Sequence, residues 1–422
     1  TNGAQAGQEY FMASRDIEAV NGEDYEPVYW ERDYLTSNVA LLVATSGLSI
    51  LNDIDINDTN GGGTTTIGGS FDTGTSTIAG NITLQHVDLP GVDNVRELII
   101  TSASNDDAGA GERGVIFSGV ISESTPGDVL HVTKQGAGTV TLTNVSTYTG
   151  KTTVSEGTLA LAGQGAVSAT SWIEVAPGGT FDFSASDAGD FTFDGPVSGG
   201  GTVVTGGGRL IIGSNGGAGV LRPGMSSGFF NPATAGDGIG VFTVEGNLVL
   251  TGSGAPTQRL TLQMGANGGA DYNDSANFLA QLGAGTFSSW ITTQGAFYDT
   301  QTGGNHDRVS VSGSFSMDAG GLISFTNNGG GDYQPVFGDV FNLIDWASAN
   351  PNNFNLGGTR RGGGLLGDLE LPDLGASGLL FDTSLFFSHG IIVVVPEPGR
   401  AALVLLGVAA LLLRRRRTLA HG

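Results

Sequence analysis

From about Thr36 onward the chain alternates apolar and polar residues over short runs, and glycine-rich turns separate one run from the next. Alternation places successive side chains on opposite faces of an extended backbone, so the pattern predicts many short strands, each with one buried face. One pattern recurs. Ile78-Ala79-Gly80-Asn81-Ile82-Thr83-Leu84 has the spacing of Val244-Glu245-Gly246-Asn247-Leu248-Val249-Leu250, and Val311-Ser312-Gly313-Ser314-Phe315-Ser316-Met317 keeps it. A fourth copy, Val154 to Leu161, carries one extra residue before its glycine, Gly157. An apolar residue, a glycine and two apolar residues two apart describe a corner followed by an inward-facing strand. Such units bury a continuous core only when stacked, as in a solenoid.

The most distinctive unit covers about residues 136–161. It runs Gly136-Ala137-Gly138-Thr139-Val140-Thr141-Leu142, then Tyr148-Thr149-Gly150-Lys151-Thr152-Thr153-Val154, then Gly157-Thr158-Leu159-Ala160-Leu161. Val140 and Leu142 are expected to face inward, Tyr148 to Gly150 to turn, and Val154 to start the next strand. The predicted fold class is all-β, a parallel β-solenoid (β-helix) over residues 36–395. Residues 1–35, acidic and aromatic, read as an irregular lead-in or cap. Two stretches break the regularity: Gly265 to Asn305, with Phe278, Leu282 and Trp290, is predicted as a loop or short helix, and Asn350 to Gly367 as a flexible loop.

Composition agrees with strands and turns: glycine supplies 72 of 422 residues and charged residues only 14%. The formal net charge is -24, and without Arg400 and Arg414 to Arg417 it is -29 for residues 1–399, with 12 basic against 41 acidic residues. Such a body is repelled by nucleic acid and by anionic lipid, which argues against a nucleic-acid partner. There is no cysteine, so neither disulfides nor thiolate metal sites contribute. The chain opens at Thr1 without an apolar leader, and an exported protein is expected to have lost its signal peptide from the sequence as given.

Residues 396–422 differ from the rest. Pro396-Glu397-Pro398 precedes the apolar run Ala401 to Leu413, which is followed by Arg414, Arg415, Arg416 and Arg417. Thirteen apolar residues are fewer than the roughly 20 of a spanning helix, and clustered arginines stay on the cytoplasmic side. The segment resembles the PEP-CTERM sorting signal. The resemblance implies a C-terminal hydrophobic sorting helix that anchors transiently in the inner membrane, with Arg414 to Arg417 as its stop. It also implies cleavage near Pro396-Glu397-Pro398 by an exosortase-type peptidase and delivery to the cell surface, outer membrane or extracellular matrix.

The unit at 136–161 resembles the autotransporter-associated β-strand repeat, whose relatives build parallel β-helical passenger regions. A second resemblance covers Leu221 to Trp346, through Arg222-Pro223-Gly224, Asp307-Arg308-Val309 and Gly338 to Trp346. That order, with Leu371-Pro372 and the Ile391 to Val395 strand, is similar to the C-terminal half of PEP-CTERM proteins with such repeats. An autotransporter ends in a membrane barrel of alternating strands, and this chain ends in the basic tail.

Candidate chemistry is sparse. Gly224-Met225-Ser226-Ser227-Gly228 has the nucleophile-elbow pattern but no helix signal after it, so it reads as a turn. Asp53, Asp55, Asn57 and Asp58 resemble the start of a calcium loop, but the glycine and glutamate that such a loop needs are Asp58 and Thr64. They read as a charged strand face with, at most, weak calcium affinity and no other cofactor. Asp182, Asp187, Asp190 and Asp194 among Phe181, Phe183, Phe191 and Phe193 are candidates for paired-carboxylate glycan cleavage. The five histidines, His86, His131, His306, His389 and His421, have no metal-ligand spacing. The expected function is that of a non-enzymatic surface or matrix protein, a stalk, matrix element or adhesive surface, with extracellular polysaccharide a possible partner. A β-helical polysaccharide-cleaving enzyme and a glycan-binding adhesin are the alternatives.

Overall fold

The computed structural model describes residues 39–58, 64–86, 95–103, 113–214, 217–224, 239–251, 257–264, 269–317, 321–327, 334–349, 364–366, 369–372, 374 and 377–397. The lead-in 1–35, Pro398 and the tail beyond it lie outside these residues. The chain divides into two compact units, Thr1–Gly219 with Thr243–Asn247, and Val220–Phe242 with Leu248–Gly422.

In the first unit the predicted strands form stacked parallel sheets. One sheet runs Val39–Val43, Thr64–Ser70, Val95–Ala103, Val129–Gln135, Lys151–Val154, Trp172–Val175 and Pro196–Gly199. The second runs Ser49–Ile50, Gly74–Ile78, Arg113–Phe117, Thr139–Leu142, Gly157–Gly163, Gly179–Ser186 and Thr202–Ile212. A third holds only Ile54–Asp58, Ile82–His86 and Ile121–Glu123. Each turn of chain contributes one strand to each of the first two sheets, and the first three turns add one to the third, which is a parallel β-solenoid. Where the third sheet ends the coils shorten, from 34 residues between the stacked Val95 and Val129 to 20 between the stacked Val132 and Thr152.

Parallel in-register pairing stacks like residues into inward columns. Val115, Val140, Leu159, Phe181 and Val203 form one, each at most 1% exposed. Phe181, Phe183, Phe191 and Phe193 pack together, with Phe181 edge-on to Phe191 at 5.2 Å between ring centroids. They are core, as their alternation implies. Corners are closed by side chains that reach one coil onward: Asp53 Oδ1 accepts the Asn81 N–H at 2.7 Å, and Asn81 Oδ1 accepts the Val120 N–H at 2.9 Å.

The recurring glycine pattern serves two geometries. Ile78 to Leu84 and Val154 to Leu161 are corners, each joining two strands. Val244 to Leu250 and Val311 to Met317 instead lie within single strands, Val241–Leu250 and Arg308–Met317, the latter broken by a register shift between Val311 and Ser314. Both bends redirect the chain while keeping the last apolar pair buried, so spacing alone does not separate them. Val154 ends the strand Lys151–Val154 rather than starting one, because the turn already closes at Gly150.

The second unit holds parallel pairs too, Val220–Pro223 with Thr257–Met264, that strand with Gly321–Asn327, and Arg308–Met317 with Ile344–Ala349. Within the expected loop 350–367, Gly364–Leu366 is a strand, antiparallel to Leu369–Leu371. A further antiparallel sheet is ordered Tyr272–Asn273, Asp339–Asn342, Ile391–Pro396, Leu379–Asp382. Helices α1 (Ser275–Ala284), α2 (Phe287–Ile291) and α3 (Gly295–Tyr298) lie within the stretch expected to be a loop or short helix. Their Phe278, Phe287, Ile291 and Tyr298 pack with Val340, Leu380, Ile391 and Val393 of the sheet. Among the described residues no helix is long and apolar enough to cross a membrane.

Candidate functional site

The coil built from Val129–Gln135, Thr139–Leu142, Lys151–Val154 and Gly157–Gly163 places Tyr148, Thr149 and Gly150 of the sequence unit between two strands. Tyr148 is 1% exposed, and its hydroxyl lies 2.7 Å from Thr152 Oγ1. Thr152 Oγ1 donates to Thr170 Oγ1 at 3.0 Å, and Thr170 Oγ1 donates to the Gly150 carbonyl at 2.5 Å. With those two protons placed, the Tyr148 hydroxyl is the donor at the head of the chain. Burial pushes the Tyr148 phenol well above its ordinary range, with Thr152 opposing and Glu123 adding to the shift.

Thr149 donates through both its N–H (2.8 Å) and its hydroxyl (3.1 Å) to Glu123 Oε1, which also accepts the Leu130 N–H at 2.8 Å. Gly150 passes so close to the preceding coil that a Cβ there would sit 2.1 Å from the Leu130 carbonyl oxygen. Gly157 has φ +64°, and a Cβ would lie 2.4 Å from the Gly136 oxygen. Glycine at these two positions follows from close approach and from a left-handed backbone. Lys134 is the exception in the column Ile67, Ile100, Lys134, Val154, Val175. Its ammonium donates to the carbonyls of Gln135 (3.0 Å), Gly136 (2.5 Å) and Glu156 (2.9 Å). Burial lowers its pKa to about 8, opposed by Glu156 and assisted by Arg113.

Residues 132–161 match the passenger-associated-transport-repeat. The match falls on this coil and includes Tyr148 and Lys134, whose contacts help to close it. No curated protein and no solved structure matches the chain. The repeat's conspicuous Tyr-Thr-Gly and Gly-Thr-Leu elements here serve stacking: their polar groups bond within the coil or to its neighbours.

Pro396 and Glu397 of the expected cleavage signal lie at the end of the described chain. Pro396 is the last residue of Ile391–Pro396 and pairs with Leu379, and the Glu397 N–H donates to the Gly378 carbonyl at 3.0 Å. Pro398 and the arginines Arg414 to Arg417 fall outside the described residues.

The other candidates are held by local contacts. Asp53 and Asp55 are exposed while Ile54 and Ile56 are buried, as the alternation predicts, and Asp53 bonds the next coil's backbone. The side chains of Asn57 and Asp58 lie outside the described residues. Among the described residues no group of three His, Asp or Glu side chains is arranged to hold a metal ion.

Asp182 Oδ1 accepts the Ser184 N–H at 2.8 Å, and Asp194 accepts from the Ser214 N–H (2.5 Å) and hydroxyl (2.7 Å). Asp190 pairs with Arg209 at 2.6 Å, and those hydrogen bonds hold its carboxyl below the ordinary range. Asp187 is exposed. The structure ties three of the four carboxylates to separate local partners. Gly224 closes the strand Val220–Pro223, and Met225 to Gly228 of the serine pattern lie outside the described residues.

Of the histidines, His131 Nδ1 accepts the Lys151 N–H at 2.8 Å, and His389 Nδ1 lies 2.8 Å from Ser388 Oγ. The His86 side chain and His421 lie outside the described residues. His306 is the surprise. Its Nε2 lies 2.7 Å from Asp271 Oδ2 and its Nδ1 2.9 Å from the Asp307 carbonyl, with both side chains of the pair 2% exposed. Two oxygen atoms thus face the two ring nitrogens. Burial works against ionisation of Asp271. The bond and charge of His306 and the N–H groups of Asn342 (2.7 Å) and Gly304 (2.9 Å) outweigh it and hold the carboxyl below its ordinary range. The pair ties together the two ends of the helical stretch. Nothing in the spacing of Asp271 and His306, 35 residues apart, signals it.

Proposed function

We propose that the chain is a non-enzymatic cell-surface or extracellular-matrix protein whose acidic β-solenoid serves as a stalk, matrix element or adhesive surface. The observation that carries this reading is the passenger-associated-transport-repeat match at residues 132–161, on a coil whose Tyr148 hydroxyl and Lys134 ammonium are engaged in stacking. A solenoid that commits its polar groups to its own backbone gives a stiff extended element with a charged exterior. Delivery is assigned to exosortase-type sorting. Pro396-Glu397-Pro398, the apolar run from Ala401 and the arginines Arg414 to Arg417 supply the recognition site, the transient inner-membrane anchor and the stop. The acidic body disfavours nucleic acid as a partner and favours basic or cation-bridged ones.

The test is surface labelling of intact cells followed by fractionation. The expected result is a labelled chain on the outside, lost when Pro396, Glu397 and Pro398 are all replaced by alanine. Sharp cleavage of a defined polysaccharide by the purified chain would overturn the non-enzymatic reading.

A glycan-binding role is the second reading, favoured by Phe297 of α3. It is 46% exposed and stands edge-on to Tyr272 at 5.3 Å, an arrangement that offers an aromatic face to a sugar ring. Loss of polysaccharide retention in Phe297→Ala with the fold unchanged would support it.

A further inference from the structure

In the first unit a tryptophan stands on the outer face of the solenoid. Ile173 and Val175 of the strand Trp172–Val175 point into the core at no more than 1% exposure, so Trp172 and Glu174 point outward. Trp172 Nε1 donates to Ser198 Oγ at 2.8 Å, one coil onward. Ser198 stands beside Glu174 on the same outward side and is nevertheless fully buried. The bond thus draws the indole across the neighbouring coil and fixes it there, while Trp172 stays only half-buried. Its neighbours along the axis are polar. Glu97 stands beside His131, the Lys151 N–H donates to His131 Nδ1 at 2.8 Å, and Lys151 stands beside Trp172. Stacked coils lie about 4.8 Å apart, so these four residues on four successive coils span about 14 Å. Each keeps part of its surface in water. Because His131 Nδ1 accepts a bond, the neutral ring carries its proton on Nε2, as a donor. Lys151 Nζ lies 3.4 Å from Glu174 Oε2, and Glu97 accepts the Thr133 hydroxyl at 2.8 Å. The strip therefore mixes donors and acceptors, and its one lysine faces a carboxylate of its own.

We propose that the strip Glu97, His131, Lys151 and Trp172 binds an uncharged, hydroxyl-rich polysaccharide laid along the solenoid axis. A pyranose ring carries C–H groups on its faces and hydroxyls around its rim. The C–H groups suit the electron-rich face of an indole, and hydroxyls, which both donate and accept, suit a row that offers both. An indole already held by Ser198 has little left to lose in ordering when a sugar stacks on it. A polyanionic chain is disfavoured by the acidic body, and an apolar partner meets one ring among charged side chains. The proposal gives the adhesive reading above a partner and rests on it only for where the two meet. The strip belongs to the first unit, whereas Phe297 belongs to the second.

Affinity electrophoresis of the purified full chain tests this, in gels holding either the neutral or the acidic fraction of the extracellular polysaccharide from the cells that make it. Retardation by the neutral fraction is expected, weakened about tenfold in Trp172→Ala. Val145→Ala, which trims an exposed side chain elsewhere on the first unit, should leave it unchanged. Retardation by the acidic fraction alone, or by neither, overturns the proposal. Full retardation of a folded Trp172→Ala also overturns it and leaves retention to the Phe297 reading. A second measurement needs no variant: oxidation of Trp172 by N-bromosuccinimide, read by peptide mass. The neutral fraction at about ten times its dissociation constant should slow that oxidation about tenfold. An unchanged rate overturns the proposal. The chain is purified in both experiments, so a failure of surface delivery alters neither result.

Discussion

The ammonium of Lys134 lies 2.9 Å from the backbone carbonyl of Glu156, 22 residues further along the chain. One side chain thus joins a coil to its successor from within the apolar column, taking the Gln135 and Gly136 carbonyls as well. An ion in that place weakens the column by its desolvation and strengthens the corner by three charge-assisted bonds.

The balance is readable in pH. The Lys134 pKa falls from 10.5 unfolded to about 8 folded, so between these values the unfolded chain binds more protons. Its contribution therefore rises as pH goes from 8 toward 10.5, by up to about 3 kcal/mol, and is flat below 8. Tyr148 acts in the opposite sense: its raised folded value means that stability falls once pH exceeds its unfolded value of about 10. Urea midpoints of wild type and Lys134→Met between pH 7 and 10 should diverge, with only wild type gaining stability. Parallel curves would count against the assignment.

Gly150→Ala places a methyl group 2.1 Å from the Leu130 oxygen, a clash with backbone that cannot turn away. A loss of about 3 kcal/mol or more is expected by chemical denaturation. Gly207→Ala, in the strand Thr202–Ile212 and with nothing within 4 Å of its Cβ, is the control and should change stability by less than about 1 kcal/mol. Similar losses in both would show that the coil contact is not what requires glycine.

Asp271→Asn removes the charge that faces His306 and should destabilise the second unit by about 3 kcal/mol at neutral pH. The folded carboxyl titrates below its unfolded value of about 3.9, so its contribution is present above that pH and is lost as pH falls through the lower folded value. Melts of wild type and variant should converge toward pH 3. A variant offset that persists unchanged there would contradict the coupling.

Much of the first unit was legible in the pattern. Val140 with Leu142, and Ile54 with Ile56, alternate inward as read, because a strand half buried against its own coil keeps the period of two. The corner glycines at Gly80 and Gly157 were legible, whereas Gly246 and Gly313 carry the same spacing within continuous strands. Lys134 was hidden because an inward lysine reads as an outward one until the carbonyls that hold it are in place. The antiparallel sheet was hidden for another reason. Tyr272 meets Val340, and Val340 meets Val393, through pairings that join distant parts of the chain and leave no local period. Asp271 and His306 come together through direct bonds between their own segments, Asn305 to Gly269 and Gly304 to Asp271, which also leave no local period.

Surface delivery by the C-terminal signal is the central claim, and fractionation tests it most directly. The full chain and a variant with Pro396, Glu397 and Pro398 replaced by alanine are made in the native cells, and intact mass is read in the surface and inner-membrane fractions. The account predicts a surface form lacking the arginine tail for the native sequence and a full-length, membrane-held form for the variant. Native and variant chains found in one fraction, both retaining Arg414 to Gly422, would contradict it.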